Sequence, residues 1–335
     1  MAGRDTSFQV FHGARLTHGS SVVERAWNAD RTGLEDLSLI RNQIFKHIDI
    51  QEFAETQQYS TIHKIVLGLS KLDLNSQLED STFAIDTPDL VGRTPLWWAS
   101  TRGDEEAVRI LLAYGASLEI KSRHSPGVLH VARTPAIVDL LLDYGAKIDC
   151  RDGVGRTPLH HCAYRGDPRG SSVALLESLL EKGADVNAQT RAGHTALHYT
   201  AMYGSVGHMA PLLTRGASLE ARKLDGHTPL MDAIRCSQPS AVDFLLESGA
   251  DYTITSKQCK TILHVCASNS DIATMDRLTS ARLCDVDIDA KDSYGLTARD
   301  RLQERADFSE DLGFAFEALL ESIRQQGTEA VDRSI

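Results

Sequence analysis

Apolar and polar positions recur along most of the chain with a period of 33 residues. In residues 192–222 a turn precedes a short apolar helix pattern, and a second apolar run then ends at a glycine. The next segment repeats this order, because Leu197 is followed 33 positions later by Leu230, and Gly216 by Gly249. Self-similarity at this spacing predicts a solenoid in which each unit contributes turns and two short helices.

The units share a motif at each end, and both motifs have a physical reason. A threonine before a helix can accept a bond from a free backbone N–H, and proline fits the first helical turn because its missing N–H would have no partner. Glycine after the second helix supplies a left-handed stop. The starts are Gly92-Arg-Thr-Pro-Leu96, Gly155-Arg-Thr-Pro-Leu-His160, Gly193-His-Thr-Ala-Leu-His198 and Gly226-His-Thr-Pro-Leu230. The ends are Gly115-Ala116, Gly145-Ala146, Gly183-Ala184, Gly216-Ala217 and Gly249-Ala250.

These motifs resemble the ankyrin repeat, and the resemblance covers about residues 86–326. It implies an all-α solenoid of about six ankyrin repeats with a helical cap at each end. We expect a disordered tail over residues 1–30, a helical N-terminal cap or degenerate repeat over 31–85, the array over 86–326 and a C-terminal tail over 327–335. The segment around His63 is similar to segments that precede ankyrin arrays in fungal proteins, which favours a fungal source.

Three units depart from the common length or motif. The second is short, because Gly145 follows Gly115 by 30 residues, and the deficit falls between its helices at 132–135. The third is long, with a loop-like insertion in residues 165–172. In the sixth, Cys259 stands where the turn glycine is expected. We expect this sixth unit to be the least regular.

Composition narrows the function classes. The net charge of −11 disfavours binding to nucleic acid or to anionic membranes. Six cysteines lie in no Cys-x-x-Cys or disulfide-like spacing, which fits a reducing compartment, so we expect the cytoplasm or the nucleus. The sequence contains no apolar run of 18 residues, so it predicts no membrane span. We expect a monomer.

The spacing of the reactive residues predicts neither a catalytic site nor a metal site. His160 and His161 are adjacent on a helix and point apart, and zinc needs three or four convergent ligands. In the repeat register His160 and His198 occupy one structural position, which His130 and His264 share. The sequence therefore predicts no catalytic residue, no bound metal and no cofactor.

The resemblance implies that partners contact a concave face, through the residue after each turn glycine and the last residues of each first helix. Basic and aromatic residues at those positions form a ladder, for which we expect an acidic or phosphorylated protein segment as partner, bound more tightly as the histidines charge near pH 6. We also expect one of Trp97 and Trp98 to face outward. The ladder residues are Arg93, Arg102, Arg156, Tyr164, Arg165, His194, Met202, Tyr203, His227 and Arg235.

Two functions remain open at this point. The first is a non-catalytic protein–protein interaction module that binds its partner on the concave surface. The alternative is a regulatory or substrate-targeting C-terminal fragment of a larger multidomain enzyme. Fold alone does not name a partner, so neither function identifies one.

Overall fold

The computed structural model describes residues 59–68, 70, 72–80, 85–119, 126–165, 171–281, 283–284 and 286–332. The expected tail at 1–30, the remainder of the cap up to residue 58 and the core of the loop inserted at 165–172 lie outside these ranges. The described residues from Ser60 onward belong to one compact unit.

Over the part of the chain that the structure describes, helices follow one another in pairs, and a hydrogen-bonded turn precedes six of the eight pairs. Within the described residues no β-strand occurs, and the all-α prediction is confirmed. The pairs are α1 (Thr61–Val66) and α2 (Leu74–Asp80), α3 (Pro95–Arg102) and α4 (Glu105–Ala113), the 3₁₀ turn η1 (Val128–Val131) and α5 (Pro135–Asp143), α6 (Pro158–Arg165) and α7 (Ser171–Glu181), α8 (Ala196–Tyr203) and α9 (Val206–Thr214), α10 (Pro229–Arg235) and α11 (Pro239–Glu247), α12 (Ile262–Asn269) and α13 (Ile272–Ser280), and α14 (Ala298–Gln303) and α15 (Glu310–Asp332).

The pairs stack into two layers. Each first helix packs on the first helix of the next pair, and each second helix packs on the next second helix. Leu197 and Leu230 are both buried between the layers, which confirms that they are equivalent core residues. Each unit thus covers the apolar surface of its neighbour, as a stacked array requires.

Local chemistry sets the helix ends. Thr94, Thr134 and Thr228 each accept a bond from the backbone N–H three residues on, at the start of α3, α5 and α10. The predicted left-handed stops are present, because Gly216 has a φ of 84° and Gly249 a φ of 86°. A glycine is favoured there since an L side chain is strained in this conformation.

Two parts of the array, the second repeat and the C-terminal helix, differ from the simplest expectation. The second repeat lacks a first α-helix and has the single turn η1 in its place. At the C-terminus α15 continues to Asp332, so the expected boundary between residues 326 and 327 falls inside a helix. The apolar face of α15 is buried against α13, with Phe316, Leu319 and Leu320 fully enclosed.

Candidate partner-binding face

The turns before the helix pairs form a continuous row from residue 152 to residue 296. In the turn 152–156 the N–H of Asp152 donates to the carbonyl of Arg156, and that of Gly155 to the carbonyl of Asp152, both at 2.9 Å. Equivalent bonds close the turns 89–93, 190–194, 223–227, 256–260 and 292–296. Cys259 adopts the glycine conformation, with a φ of 55°. Backbone bonds also join neighbouring turns, such as Leu224 N–H to Ala192 O at 3.0 Å.

Buried histidines connect α1, η1, α6, α8 and α12 to the following turn. The Nε2 atom lies 3.0–3.2 Å from the carbonyl oxygen of the residue after the next turn glycine. In His160 and His198, Nδ1 accepts a backbone N–H, so Nε2 carries the proton and donates it. Burial lowers the pKa of both to about 4. The histidine bridges are His63–Arg93, His130–Arg156, His160–His194, His198–His227 and His264–Leu296.

These bridges explain the histidines without a metal. The predicted shared structural position of His130, His160, His198 and His264 is confirmed by their common bond to the next turn. Within the described parts of the chain, no group of three or more His, Cys, Asp or Glu side chains is arranged to hold a metal ion. In the same residues, no helix combines the length and apolar character that crossing a bilayer requires.

The N-terminal end of the basic ladder is structural. Arg93 is only 7% exposed, and its Nε donates to Asp89 Oδ2 at 2.9 Å. The Arg93 guanidinium lies over the Trp98 ring, 4.4 Å from its centroid. The expectation that Arg93 contacts a partner is therefore wrong, because packing and an ion pair enclose it.

Trp97 and Trp98 are both buried, so the expectation that one faces outward is also wrong. The indole N–H of Trp97 donates to Pro126 O at 2.8 Å, and that of Trp98 donates to Asp89 Oδ2 at 3.1 Å. Each ring has a polar partner for its N–H, which makes burial of both rings compatible with the fold.

Three further ladder arginines also have acceptors. Arg156 Nε donates to Asp152 at 2.8 Å, Arg235 Nε donates to Asp232 at 3.1 Å, and Arg102 donates to the carbonyl of Leu67 at 2.6 Å. Arg165 ends α6, and its side chain is not among the described ones. The ladder is therefore not an uninterrupted row of available positive charges, as expected. Instead, these three arginines are bound to a carboxylate or to a backbone carbonyl.

In repeat five, residues 223–255, the positions of the charges are exchanged. The turn begins with a lysine instead of an aspartate, and the aspartate lies on the first helix. The lysine is Lys223, whose Nζ lies 2.8 Å from Oδ1 of the buried Asp232 on α10. His227 is half-buried, with Nδ1 at 3.7 Å from the same oxygen. Burial would raise the pKa of Asp232, but the adjacent His227 and the bonds from Lys223 and Arg235 hold that pKa well below its usual range. The carboxylate therefore stays charged and fixes its two bonded donors, Lys223 and Arg235.

The two ladder tyrosines and a third tyrosine form a cluster between α6 and α8, in repeats three (152–189) and four (190–222). We call it the tyrosine cluster: Tyr164, Tyr199 and Tyr203. The rings of Tyr164 and Tyr203 are 4.7 Å apart and perpendicular at 87°, and Tyr164 and Tyr199 meet at 6.4 Å and 86°. His194 lies against Tyr199 at 5.4 Å. Tyr203 is 48% exposed, whereas the other members are half-buried.

Sequence reasoning missed Tyr199, although a signal was present. It follows His198 directly and so occupies the helix position of Trp98 and His161, whose side chains face the turns. Met202 lies half-buried beside Tyr203 at the end of α8. Burial lowers the pKa of His194, so His194 charges at a lower pH than a free imidazole does.

Family models match this chain along the array. The model described as ankyrin repeat matches residues 91–123, that of many ankyrin copies matches 129–171, and that of three copies matches 168–256. The crystal structure of the human ASB11 ankyrin repeat domain superposes with a TM-score of 0.56 at 24% identity, covering 67% of this chain and 98% of that one. Residues 91–256 of this chain therefore contain ankyrin repeats.

Curated relatives carry similar arrays inside much longer chains. Human SH3 and multiple ankyrin repeat domains protein 2 is 30% identical over 63% of this chain and 11% of its own length. The ADP-ribosylation factor GTPase-activating protein AGD1 of Arabidopsis thaliana is 28% identical over 43% of this chain and 16% of its own. The E3 ubiquitin-protein ligase Ufd4 of Drosophila melanogaster is 38% identical over 31% of this chain and 4% of its own.

Proposed function

We propose that this chain is a non-catalytic protein-interaction module that binds a partner protein on the concave face of its turns and first helices, centred on repeats three to five. One observation carries the proposal. The tyrosine cluster places large, partly exposed rings at helix positions that the fold does not require to be aromatic, since Thr101 and Ser268 stand at the position of Tyr164 in other repeats. Tyrosine is enriched at the centres of protein interfaces.

The family supports the general function, because ankyrin repeats are a protein-interaction module. The alternative is also supported by a specific observation. Relatives of the array include a protein named as a GTPase-activating protein and one named as a ubiquitin ligase, of which the matched parts are 16% and 4%. In that case the array regulates or targets an enzyme within the same polypeptide, and the partner-binding face serves the same purpose.

An acidic or phosphorylated segment is the second candidate partner. Arg156 and Arg235 keep 29% and 33% of their side chains exposed although each is bound to a carboxylate. A guanidinium has five N–H donors, so an arginine that uses Nε internally has others for a second anion. This candidate places the charge contacts at the edge of the tyrosine cluster.

The test is affinity capture with matched variants, followed by mass spectrometry. Tyr164→Ala with Tyr203→Ala removes the exposed rings, and Tyr144→Ala is the control, because Tyr144 is 50% exposed at the end of α5 and outside the cluster. We expect the double variant to lose the proteins that wild type and the control retain. Retention of every partner by a folded double variant would contradict the proposed face. If the double variant Arg156→Gln, Arg235→Gln loses proteins that wild type captures, this result would support the acidic partner.

A further inference from the structure

The tyrosine cluster is preorganised. Tyr164 on α6 packs perpendicular to both Tyr199 and Tyr203 on α8, and Tyr199 also contacts the ring of His160 at 5.7 Å. The rings therefore fix one another across two repeats before any ligand arrives. A tyrosine that is already held loses little side-chain freedom on binding, which lowers the cost of association.

The cluster offers ring faces and hydroxyl groups rather than a cage. A distance of 4.7 Å between the Tyr164 and Tyr203 centroids leaves no room for a methyl or ammonium group between those rings. An occupant must lie across the exposed rings. Burial, together with Tyr164, raises the pKa of Tyr203 to about 12, and its hydroxyl is protonated at neutral pH, as that of an ordinary tyrosine is.

The charges around the cluster select against a cationic occupant. Arg156 ends the turn before α6, Arg235 ends α10, and Lys223 begins the turn that follows α9. Their acceptors, Asp152 and Asp232, are buried with side chains only 4% and 0% exposed, whereas both guanidinium groups reach solvent. Each ion pair is neutral overall, but its solvent-facing member is the guanidinium group, which favours carboxylates at the ends of the bound segment.

We propose that the tyrosine cluster binds a proline-containing extended segment of the partner protein, flanked by aspartate or glutamate. The inference rests on the proposed function and specifies the chemistry of its partner. Proline presents a flat apolar ring that stacks on an aromatic face. A polyproline II segment is extended before binding and has unpaired carbonyl groups, which accept from tyrosine hydroxyls. The flanking acids meet Arg156 and Arg235.

The experiment selects ligands without assuming their sequence. A phage-displayed library of random 12-residue peptides is selected on the full chain, after depletion on a folded Tyr164→Ala, Tyr203→Ala double variant. We expect the recovered peptides to be enriched in proline, with acidic residues at one or both ends. Circular dichroism and thermal melts establish that the variant used for depletion is folded.

Titrations of one synthetic recovered peptide then locate its contacts. We expect Tyr203→Ala to weaken binding at least about tenfold, Tyr203→Phe to weaken it less, and Tyr144→Ala to leave it unchanged. Replacing the prolines of the peptide by alanine should abolish binding. Recovered peptides that depend on the tyrosines but lack proline would overturn this inference and leave the proposed function intact. If no recovered peptide depends on the tyrosines, both are overturned.

Discussion

Acidification should weaken the array through the histidine bridges. His160 and His198 are buried, and each accepts a backbone N–H at Nδ1, so protonation of Nδ1 removes the acceptor and places a charge in the core. Burial lowers their pKa from 6.5 to about 4. Because the pKa of each histidine is lower in the folded chain than in the unfolded chain, protonation favours the unfolded chain. The contribution of each histidine to stability is complete above pH 6.5 and is lost as the pH falls toward 4.

The magnitude follows from the two pKa values. With 6.5 in the unfolded chain and about 4 in the folded one, each histidine should cost about 1 kcal/mol between pH 6.5 and 5.5, and about 2 kcal/mol between pH 6.5 and 4.5. The two together should cost about 2 and about 4 kcal/mol over these ranges. The carboxylates of Asp152 and Asp232 have lowered pKa values in the folded state, so their losses begin as the pH falls into the usual aspartate range, around 3.8, and continue below it.

The assay is urea unfolding at pH 7.5, 6.5, 5.5 and 4.5, for wild type and for His160→Gln with His198→Gln. Glutamine keeps a side-chain donor and does not titrate, so the double variant should start less stable at pH 7.5 and lose less on acidification. We expect the free energy of unfolding of wild type to fall by about 2 kcal/mol more than that of the variant between pH 6.5 and 5.5. Equal losses in both proteins would refute the reasoning, and the single variant His198→Gln gives half the difference if the double one does not fold.

Three further predictions concern the repeat itself, and urea unfolding at neutral pH measures each. Leu197→Ala removes a fully buried side chain and should cost about 2–5 kcal/mol; a change below about 0.5 kcal/mol would indicate a surface position. Gly193→Ala should cost more than Gly216→Ala, because both glycines have positive φ but only at Gly193 would the new Cβ meet the next turn, 2.8 Å from Lys223 Cα. Equal costs would contradict the close packing of turns. Cys259→Gly should be neutral or stabilising by up to about 1 kcal/mol, since Cys259 already holds the glycine conformation, and a clear loss would contradict this.

The regular part of the fold was predictable because each repeat provides the same local information. Leu197 and Gly216 could be assigned from spacing, since a helix stop and a core position are set by residues within one unit and recur in the next. The second repeat was harder. Thr134 caps α5 and Pro135 begins it, which leaves only four residues of η1 for the first helix. The spacing indicates a deficit, but not that the deficit removes an α-helix.

The charges of the ladder were only partly predictable. The pairs Asp89–Arg93 and Asp152–Arg156 are four residues apart and Asp232–Arg235 are three apart, so each pairing was present in the sequence as a local signal. The pairing of Lys223 with Asp232 joins a turn to a helix nine residues on and requires the folded unit. Residue type alone therefore overestimated the positive charge available to a partner.

The tyrosine cluster depends on a contact between two repeats whose residues do not occupy equivalent positions. Tyr164 is equivalent to Met202 in the repeat pattern, yet its ring packs on Tyr203, one residue further along α8. An alignment of repeats therefore pairs the wrong residues, and only the stacked helices bring the two rings to 4.7 Å. The core and turn positions of this chain are fixed by the need to stack, whereas the ends of the first helices are not. Specific recognition can be encoded at those ends because their residue type varies between stacked repeats, from Thr101 and Ser268 to Tyr164.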